Sequence, residues 1–250
     1  MPRQARKMSE SGIYHAIVRG INKQAIFEDE QDSSFFLNAL DHYKQVCGYQ
    51  LLAYCLMGNH VHLVIQAGKE SLDSIFRRLG GKYSYWYNNK YQRVGHLFQD
   101  RFLSEPVESD AYLLMAVRYV HQNPLVANMV RDIGDYPLSS YNDYLATSND
   151  EMLTDTGLIL SMLGKEEFVR YHTEVTDDKC LEIPDKRFAL TDDEARQFIL
   201  QVTGCKASTD TQKLDPEVRN RAIFELKSQG LSVRQLSRLT GLSKSTIERH

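Results

Sequence analysis

The segment Tyr49-Gln50-Leu51-Leu52-Ala53-Tyr54-Cys55-Leu56-Met57-Gly58-Asn59-His60-Val61-His62-Leu63-Val64-Ile65-Gln66 best defines the fold of this chain. Two apolar, strand-like runs, 49–56 and 61–66, flank the break Met57-Gly58-Asn59. Glycine and asparagine are typical of the tight turn of a β-hairpin. The segment therefore predicts two strands that follow each other directly and pair antiparallel.

The sequence on both sides of this hairpin predicts further elements. Residues 12–19 indicate a strand, and 95–107 indicate a loop followed by a short strand. Helices are predicted over 31–46 and 71–89, where apolar residues recur at helical spacing, and over 110–122, with a stop at Asn123-Pro124. The order β-α-β-β-α-β-α begins with the split pattern of a ferredoxin-like domain. We therefore predict an α+β fold: a ferredoxin-like (RRM-like) antiparallel sheet with helices on one face, which leaves the other face for a site.

Composition restricts the class of protein. With 250 residues, 42% of them hydrophobic, the chain can bury a substantial core. The sequence has neither an apolar run long enough to cross a bilayer nor the apolar stretch of a signal peptide, so we expect a cytoplasmic protein with no membrane partner. The four cysteines lie at irregular spacings typical of reduced thiols: Cys47, Cys55, Cys180 and Cys205.

Charge divides the chain into three segments. Residues 1–145 carry equal numbers of acidic and basic side chains, whereas 146–216 carry 15 acidic against 8 basic and 217–250 carry 3 against 7. We predict an N-terminal domain over 1–145 and an acidic helical connector over 146–216, with short helices near 155–170 and 192–203. The segment 217–250 predicts an all-α helix-turn-helix-like module, with a small helical packing module as the alternative.

The cap residues of this last segment are also predicted. Ser232 and Ser243 precede apolar helical runs and are expected to cap them, and Gly241 is expected in the intervening turn.

His60 and His62 flank one apolar residue in the second strand of the hairpin. Side chains alternate along a strand, so both imidazoles project from the same face. Imidazole is the commonest protein ligand for divalent metals, so the pair predicts half of a metal site. The alternative is a pair of ordinary half-buried strand histidines.

The helix predicted over 110–122 carries a second set of polar residues. Its buried stripe is expected to contain Leu113, Ala116, Val117 and Val120. An adjoining line contains Tyr112, Met115, Tyr119 and Asn123. Because Tyr119 and Asn123 are one turn apart, they can face the same object. A phenolate can attack phosphorus, and an amide oxygen can complete the ligand set of a metal.

These motifs resemble those of a known family. YCLMGNHVHLVIQ (residues 54–66) is similar to the signature of the HUH endonucleases. RYVHQNPLVANMV (118–130) resembles the segment that carries the single tyrosine of the tyrosine transposases in that superfamily, which include insertion-sequence and REP-associated tyrosine transposases. Supporting matches, GIYHAIVRGINKQAIF, HLFQDRF and YPLSSYNDY, extend the resemblance over residues 10–145. The predicted domain 1–145 is thus identified as a catalytic domain of this type.

The resemblance implies a chemistry and a set of residue roles. Tyr119 would be the nucleophile, and His60, His62 and Asn123 would hold a divalent metal, Mg²⁺ or Mn²⁺. Gln122 is a less suitable ligand than Asn123 because it points about 100° away on the helix. The implied reaction is cleavage and strand transfer of single-stranded, hairpin-forming DNA through a 5′-phosphotyrosine.

Several alternatives stay open from the sequence. The resemblance is compatible with two oligomeric states, a monomer and a homodimer with shared sites. A replication-initiator or relaxase-like nickase is one rival function, and a non-catalytic DNA-binding regulator is another. Tyr112 is the alternative nucleophile.

The binding of a DNA strand requires cations and stacking surfaces. The run at 82–93 interleaves both types, and from it we predict DNA contacts for Lys82, Tyr85, Tyr91 and Arg93. Arg3 and Arg6 are predicted to form a basic arm on the DNA backbone, with a solvated tail as the alternative.

Overall fold

The computed structural model describes residues 6–147, 152–174, 180–181, 192–228 and 231–249. The chain divides into two compact units, Met1–Ile183 and Pro184–His250. Within the described ranges, no helix is both long enough and apolar enough to cross a membrane.

The first unit follows the predicted order of strands and helices. Its elements are β1 (Ile13–Arg19), α1 (Glu30–Cys47), β2 (Gln50–Met57), β3 (His60–Gln66), α2 (Leu72–Lys90), β4 (Leu103–Pro106), α3 (Asp110–Val126) and α4 (Gly157–Thr173). Helix α1 begins at a capping box, in which the carboxylates of Asp29 and Asp32 accept hydrogen bonds from each other's backbone amides. Ser71 caps α2 in a similar way through its hydroxyl.

The four strands form one antiparallel sheet in the order β2-β3-β1-β4. Strands β2 and β3 form the predicted hairpin, in which Met57 pairs with His60. Strand β1 lies between β3 and β4 and pairs antiparallel with both. The α+β, ferredoxin-like prediction is therefore confirmed.

Helices cover both faces of this sheet. Phe36 of α1 and Ile75 of α2 pack with Leu63 of β3 on one face. On the opposite face, Val117 of α3 packs in a second core with Val64 of β3. The prediction of helices on one face describes α1 and α2, whereas α3 covers part of the face that was expected to be open. Side chains that point to this second face are enclosed between α3 and the sheet.

Helix α3 continues about one turn past the predicted stop. Pro124 lies inside the helix, which ends at Val126. Proline has no amide hydrogen, so one helical hydrogen bond is lost there. The chain remains helical to Val126, and the amide of Ala127 closes the last turn by donating to the carbonyl of Asn123 over 2.9 Å. The predicted stop at Asn123-Pro124 was therefore wrong.

The acidic segment 146–216 is shared between the two units. Ile159 and Phe168 of α4 are fully buried in the core beneath α3. Ala195 and Ile199 belong to α5 (Asp192–Thr203), which packs in a separate core with Ile223. Each of these helices of the acidic segment presents apolar residues to a core, and the two helices belong to different compact units. The predicted role of the segment as a connector stays a prediction.

The second unit continues with α6 (Pro216–Ser228), α7 (Val233–Thr240) and α8 (Lys244–Glu248). Ser232 and Ser243 cap α7 and α8 through their side chains, as predicted. Gly241 ends α7 with a φ of 76°, a left-handed conformation that favours glycine. The helix positions agree with the sequence, and the role of this unit as a helix-turn-helix module stays a prediction.

Candidate active site

His60 and His62 project toward α3, as the alternation of β3 predicts. Their ring centroids lie 4.9 Å apart. His62 is buried, with 3% of its surface exposed, whereas His60 is half-buried near the edge of the site. The pair therefore combines one enclosed imidazole with one that is partly accessible to solvent.

The orientation of His60 is determined by its neighbour Asn59. The amide nitrogen of Asn59 donates to the carbonyl of Lys23 over 3.0 Å, which turns the amide oxygen toward His60. That oxygen lies 2.7 Å from Nδ1 of His60 and can only accept a hydrogen bond. His60 therefore carries its proton on Nδ1, and its Nε2 presents a lone pair.

A third histidine that the sequence analysis did not select completes the group. His15 of β1 is fully buried, and its Nε2 lies 3.1 Å from Nδ1 of His62. The pairing of β1 with β3 places Ile17 opposite His62 and so brings His15 to the same face. The available signal was the ferredoxin-like order, which makes β1 the neighbour of β3, but the register between these strands is not local in sequence.

Tyr119 of α3 lies over this histidine group. Its ring centroid is 5.8 Å from that of His62 and 5.9 Å from that of His15, both in edge-to-face geometry. The predicted buried stripe holds α3 against the sheet, since Leu113, Ala116, Val117 and Val120 are all buried. The predicted second line of the helix, Tyr112, Met115, Tyr119 and Asn123, is half-buried throughout. The helix thus positions Tyr119 next to His60 and His62.

Asn123 lies one turn after Tyr119, also as predicted. Its amide nitrogen donates to the carbonyl of Tyr119 over 2.9 Å. The amide oxygen is therefore the atom of Asn123 that remains for a ligand. Gln122, the less suitable candidate, donates instead to the carbonyls of His172 and Glu174 at 2.8 and 3.0 Å.

The three histidines of the site are electrically neutral at neutral pH. Burial lowers the pKa of His15 to about 4. Burial and, to a smaller extent, the charge of Arg19 lower the pKa of His60 to about 4. Burial, followed by the charges of His15 and His60, lowers the pKa of His62 well below its usual range. Neutral imidazole is the form that binds a metal.

Tyr112, the alternative nucleophile, is hydrogen-bonded to a carboxylate. Its hydroxyl donates to the carboxylate of Glu105 over 2.5 Å. Burial, followed by the hydrogen bond with Glu105, raises the pKa of Tyr112 above the ordinary range of a phenol. Both effects oppose formation of the phenolate, so Tyr112 is held in its protonated form.

The chemistry of the donor set fits the predicted metal. Among the described residues, no group of three or more His, Cys, Asp or Glu side chains could hold a metal ion. The predicted set differs in kind, because its third member is the amide oxygen of Asn123. Two imidazole nitrogens and one amide oxygen form a mixed set that suits a divalent ion such as Mn²⁺.

Some of the side chains predicted to contact DNA are exposed to solvent, and others interact with residues of the protein itself. Tyr85 is 74% exposed, and Lys82 is exposed with its ammonium 5.4 Å from the ring centre of Tyr43. Arg6 pairs with Asp73, and its guanidinium lies 3.7 Å above the centre of the Phe102 ring. Arg3 lies outside the described residues.

Tyr91 and Arg93 are engaged inside the protein. The hydroxyl of Tyr91 donates to the buried carboxylate of Asp32 over 2.8 Å. Arg93 donates to the side-chain oxygen of Gln24 over 2.8 Å, and its guanidinium lies 5.6 Å from the centre of the Tyr87 ring. Of the residues from the aromatic run, Tyr85 and Lys82 are therefore better placed for a DNA strand.

Comparison with known proteins gives a family match for the part of the chain that contains the candidate site. Residues 9–123 match the family model of IS200-like transposases. This range begins just before β1 and ends at Asn123, so it includes His15, His60, His62 and Tyr119.

The individual proteins that this chain resembles have low sequence identity to it. A Haemophilus influenzae protein that bears the name REP-associated tyrosine transposase is 27% identical over 115 residues, which are 40% of this chain and 65% of that protein. The structure of a REP-associated tyrosine transposase bound to a REP hairpin aligns with a TM-score of 0.49 and 17% identity, over 61% of this chain and 95% of the other. A Deinococcus radiodurans protein classed as a transposase aligns with a TM-score of 0.35 and 16% identity, over 52% and 96%. Over residues 9–123, the sheet domain that carries the candidate site is therefore similar to the IS200-like transposases.

Proposed function

We propose that this protein cleaves and rejoins single-stranded DNA through a covalent phosphotyrosine intermediate and needs a divalent metal to do so. The observation that carries the proposal is the position of the Tyr119 ring. It lies edge-on to His62 and His15, next to the pair His60 and His62, whose spacing is typical of metal ligands. The match of residues 9–123 to the family model of IS200-like transposases supports it.

In the proposed reaction, Tyr119 acts as the nucleophile. Its phenol oxygen attacks the scissile phosphorus, and the bond between phosphorus and the 3′ oxygen breaks. The phenol proton is released, and the departing 3′ oxygen takes up a proton to become a hydroxyl. The DNA is then joined to Tyr119 through its 5′ phosphate. Because this bond is again a phosphodiester, another 3′ hydroxyl can attack it and rejoin DNA without ATP.

Three side chains would hold the metal in this reaction. His60 presents Nε2, His62 has Nε2 remaining, and Asn123 has its amide oxygen remaining. A bound Mg²⁺ or Mn²⁺ supplies Lewis-acid polarisation of the scissile phosphate. The neutral state of the buried histidines favours this binding because they need not lose protons first.

The proposed substrate is a hairpin-forming single strand. This follows from the resemblance to REP-associated tyrosine transposases and from the exposed ring of Tyr85 next to basic Lys82. An exposed aromatic ring can stack on any base, and a nearby cation can pair with the backbone phosphates.

The test is incubation of the protein with a 5′-labelled and a 3′-labelled single-stranded hairpin DNA in Mn²⁺ or in EDTA, followed by denaturing electrophoresis. We expect an adduct that needs Mn²⁺, retains only the label on the 3′ side of the cut, and disappears in Tyr119→Phe. Tyr112→Phe is the matched control, because it removes a hydroxyl from the same helix, and it should retain the adduct.

Two outcomes would count against the proposal. An adduct that persists in Tyr119→Phe and is lost in Tyr112→Phe moves the nucleophile to Tyr112. Binding of duplex DNA without any cleavage supports the rival function, a non-catalytic regulator.

A further inference from the structure

The contact between His15 and His62 limits what His62 can do. Nε2 of His15 lies 3.1 Å from Nδ1 of His62, and the two rings stack with centroids 5.4 Å apart and an interplanar angle of 25°. One of the two ring nitrogens of His62 is therefore occupied by another residue of the protein. Only Nε2 of His62 remains to bind a metal.

The proton positions of the two rings follow from this contact. A nitrogen that ligates a metal carries no proton, so a ligating His62 must carry its proton on Nδ1. In that state Nδ1 donates to Nε2 of His15. His60 reaches the equivalent state through Asn59, whose amide oxygen accepts from its Nδ1. Each histidine of the pair thus has its own partner on the side away from the ligating atom.

We propose that His15 is a positioning residue of the metal site, which accepts a hydrogen bond from Nδ1 of His62 and thereby directs the Nε2 lone pair of His62 at the metal. This role rests on the proposed function, because it requires a divalent ion between His60 and His62. Partners of this kind fix the tautomer and the ring orientation of a ligating histidine. Neither is fixed by His62 alone, since a free imidazole exchanges its proton between the two nitrogens.

The far side of His15 fits the same arrangement. If Nε2 of His15 accepts, its proton lies on Nδ1, a buried atom with no partner among the described residues. Glu105 lies directly opposite His15 in the pairing of β1 with β4, so its carboxylate is on the same face. One oxygen of that carboxylate accepts a hydrogen bond from Tyr112. Glu105 is thus the acidic neighbour of His15 on this face, although no described residue accepts a hydrogen bond from Nδ1 of His15.

The test measures binding of Mn²⁺ alone to the full chain by electron paramagnetic resonance of the free ion. His15→Phe retains a ring but cannot accept a hydrogen bond, whereas His15→Gln places an amide near the former Nε2. We expect His15→Phe to weaken Mn²⁺ binding by about 10- to 100-fold and His15→Gln to restore most of it. His42→Phe, which changes an exposed histidine of α1, is the matched control and should bind as the unchanged protein does.

The outcomes separate this role from the proposed function. If the unchanged protein does not bind Mn²⁺, the metal site itself fails and the role of His15 fails with it. If it binds and His15→Phe binds equally well, or if His15→Gln is as weak as His15→Phe, only the role of His15 is overturned.

A second measurement needs no variant. Long-range ¹H–¹⁵N spectra of the unchanged protein loaded with diamagnetic Zn²⁺ should show His62 protonated on Nδ1. Protonation of His62 on Nε2 in the loaded protein would overturn the proposal even if His15→Phe fails to fold.

Discussion

Two histidine clusters lie beside α3, and they differ in how completely their hydrogen bonds are satisfied. The core cluster consists of His121, His172 and Ser140, which are all buried. Nδ1 of His172 donates to the carbonyl of Phe168 over 2.8 Å, so its Nε2 accepts from Nδ1 of His121 over 2.9 Å. Nε2 of His121 then accepts from the hydroxyl of Ser140 over 2.7 Å. Every ring nitrogen has a partner, and every proton has an acceptor.

The site cluster, formed by His15, His60 and His62, lacks this closure. Nδ1 of His15 has no partner within the described ranges, and His60 is partly open to solvent. Burial alone does not separate the clusters, because His15 and His121 are both fully buried. Buried polar groups in a folded core are normally satisfied, so an unpartnered nitrogen in a group of histidines next to Tyr119 marks a candidate for function. The clusters therefore predict opposite responses to mutation.

The largest expected effect is on chemistry at the site cluster. His62→Gln and His60→Gln each remove a proposed imidazole ligand of the metal, so formation of the DNA adduct should fall at least about 100-fold. His42→Gln, on the exposed side of α1, should have no effect and serves as the control. The measurement is the initial rate of adduct formation in Mn²⁺, and an unchanged rate in both variants would remove the distinction between the clusters.

The next effect is on stability at the core cluster. His121→Leu leaves Nε2 of His172 buried without its partner, whereas the hydroxyl of Ser140 retains the carbonyl of Tyr54 at 3.3 Å as an acceptor. One unpaired buried nitrogen should lower the free energy of unfolding by about 2 kcal/mol. Urea denaturation followed by circular dichroism measures this change. A loss below about 1 kcal/mol would show that the core cluster is not a structural network.

Acid should destabilise the folded protein because its buried histidines are neutral. Burial lowers the pKa of His172 to about 4 and that of His121 well below its usual range. Between about pH 6.5 and pH 4 the unfolded chain binds these protons and the folded chain does not, so stability falls as the pH falls through this window. Each such histidine contributes up to about 1.4 kcal/mol per pH unit.

Urea denaturation at pH 7, 6 and 5 checks this dependence. The expected slope is shallower in His172→Gln than in the unchanged protein, since one group that titrates only in the unfolded state is removed. Parallel slopes in the two proteins would contradict the neutral, buried state of His172.

Some features of the two clusters could be predicted from the sequence, and others could not. Periodicity predicted the hairpin, the buried stripe of α3 and the line that carries Tyr119, because each depends on residues close together in the chain. His15 was missed because its contact with His62 depends on the register between β1 and β3, which are separated by a helix and another strand. The core cluster depends on α4 packing against α3, which the acidic composition of its segment concealed.

The smallest effect distinguishes two neighbouring residues of α3. Gln122 donates to the carbonyls of His172 and Glu174 and so ties α3 to the end of α4, on the side of the core cluster. Gln122→Ala should lower the free energy of unfolding by about 1 kcal/mol and leave the adduct rate unchanged. Asn123→Ala should do the reverse, with a loss in adduct rate and little change in stability, because its amide nitrogen donates within α3, to the carbonyl of Tyr119. Adduct assays and urea denaturation of the two variants, run in parallel, show whether these two adjacent residues belong to different clusters. Equal behaviour of the two variants would show that the clusters act as a single unit.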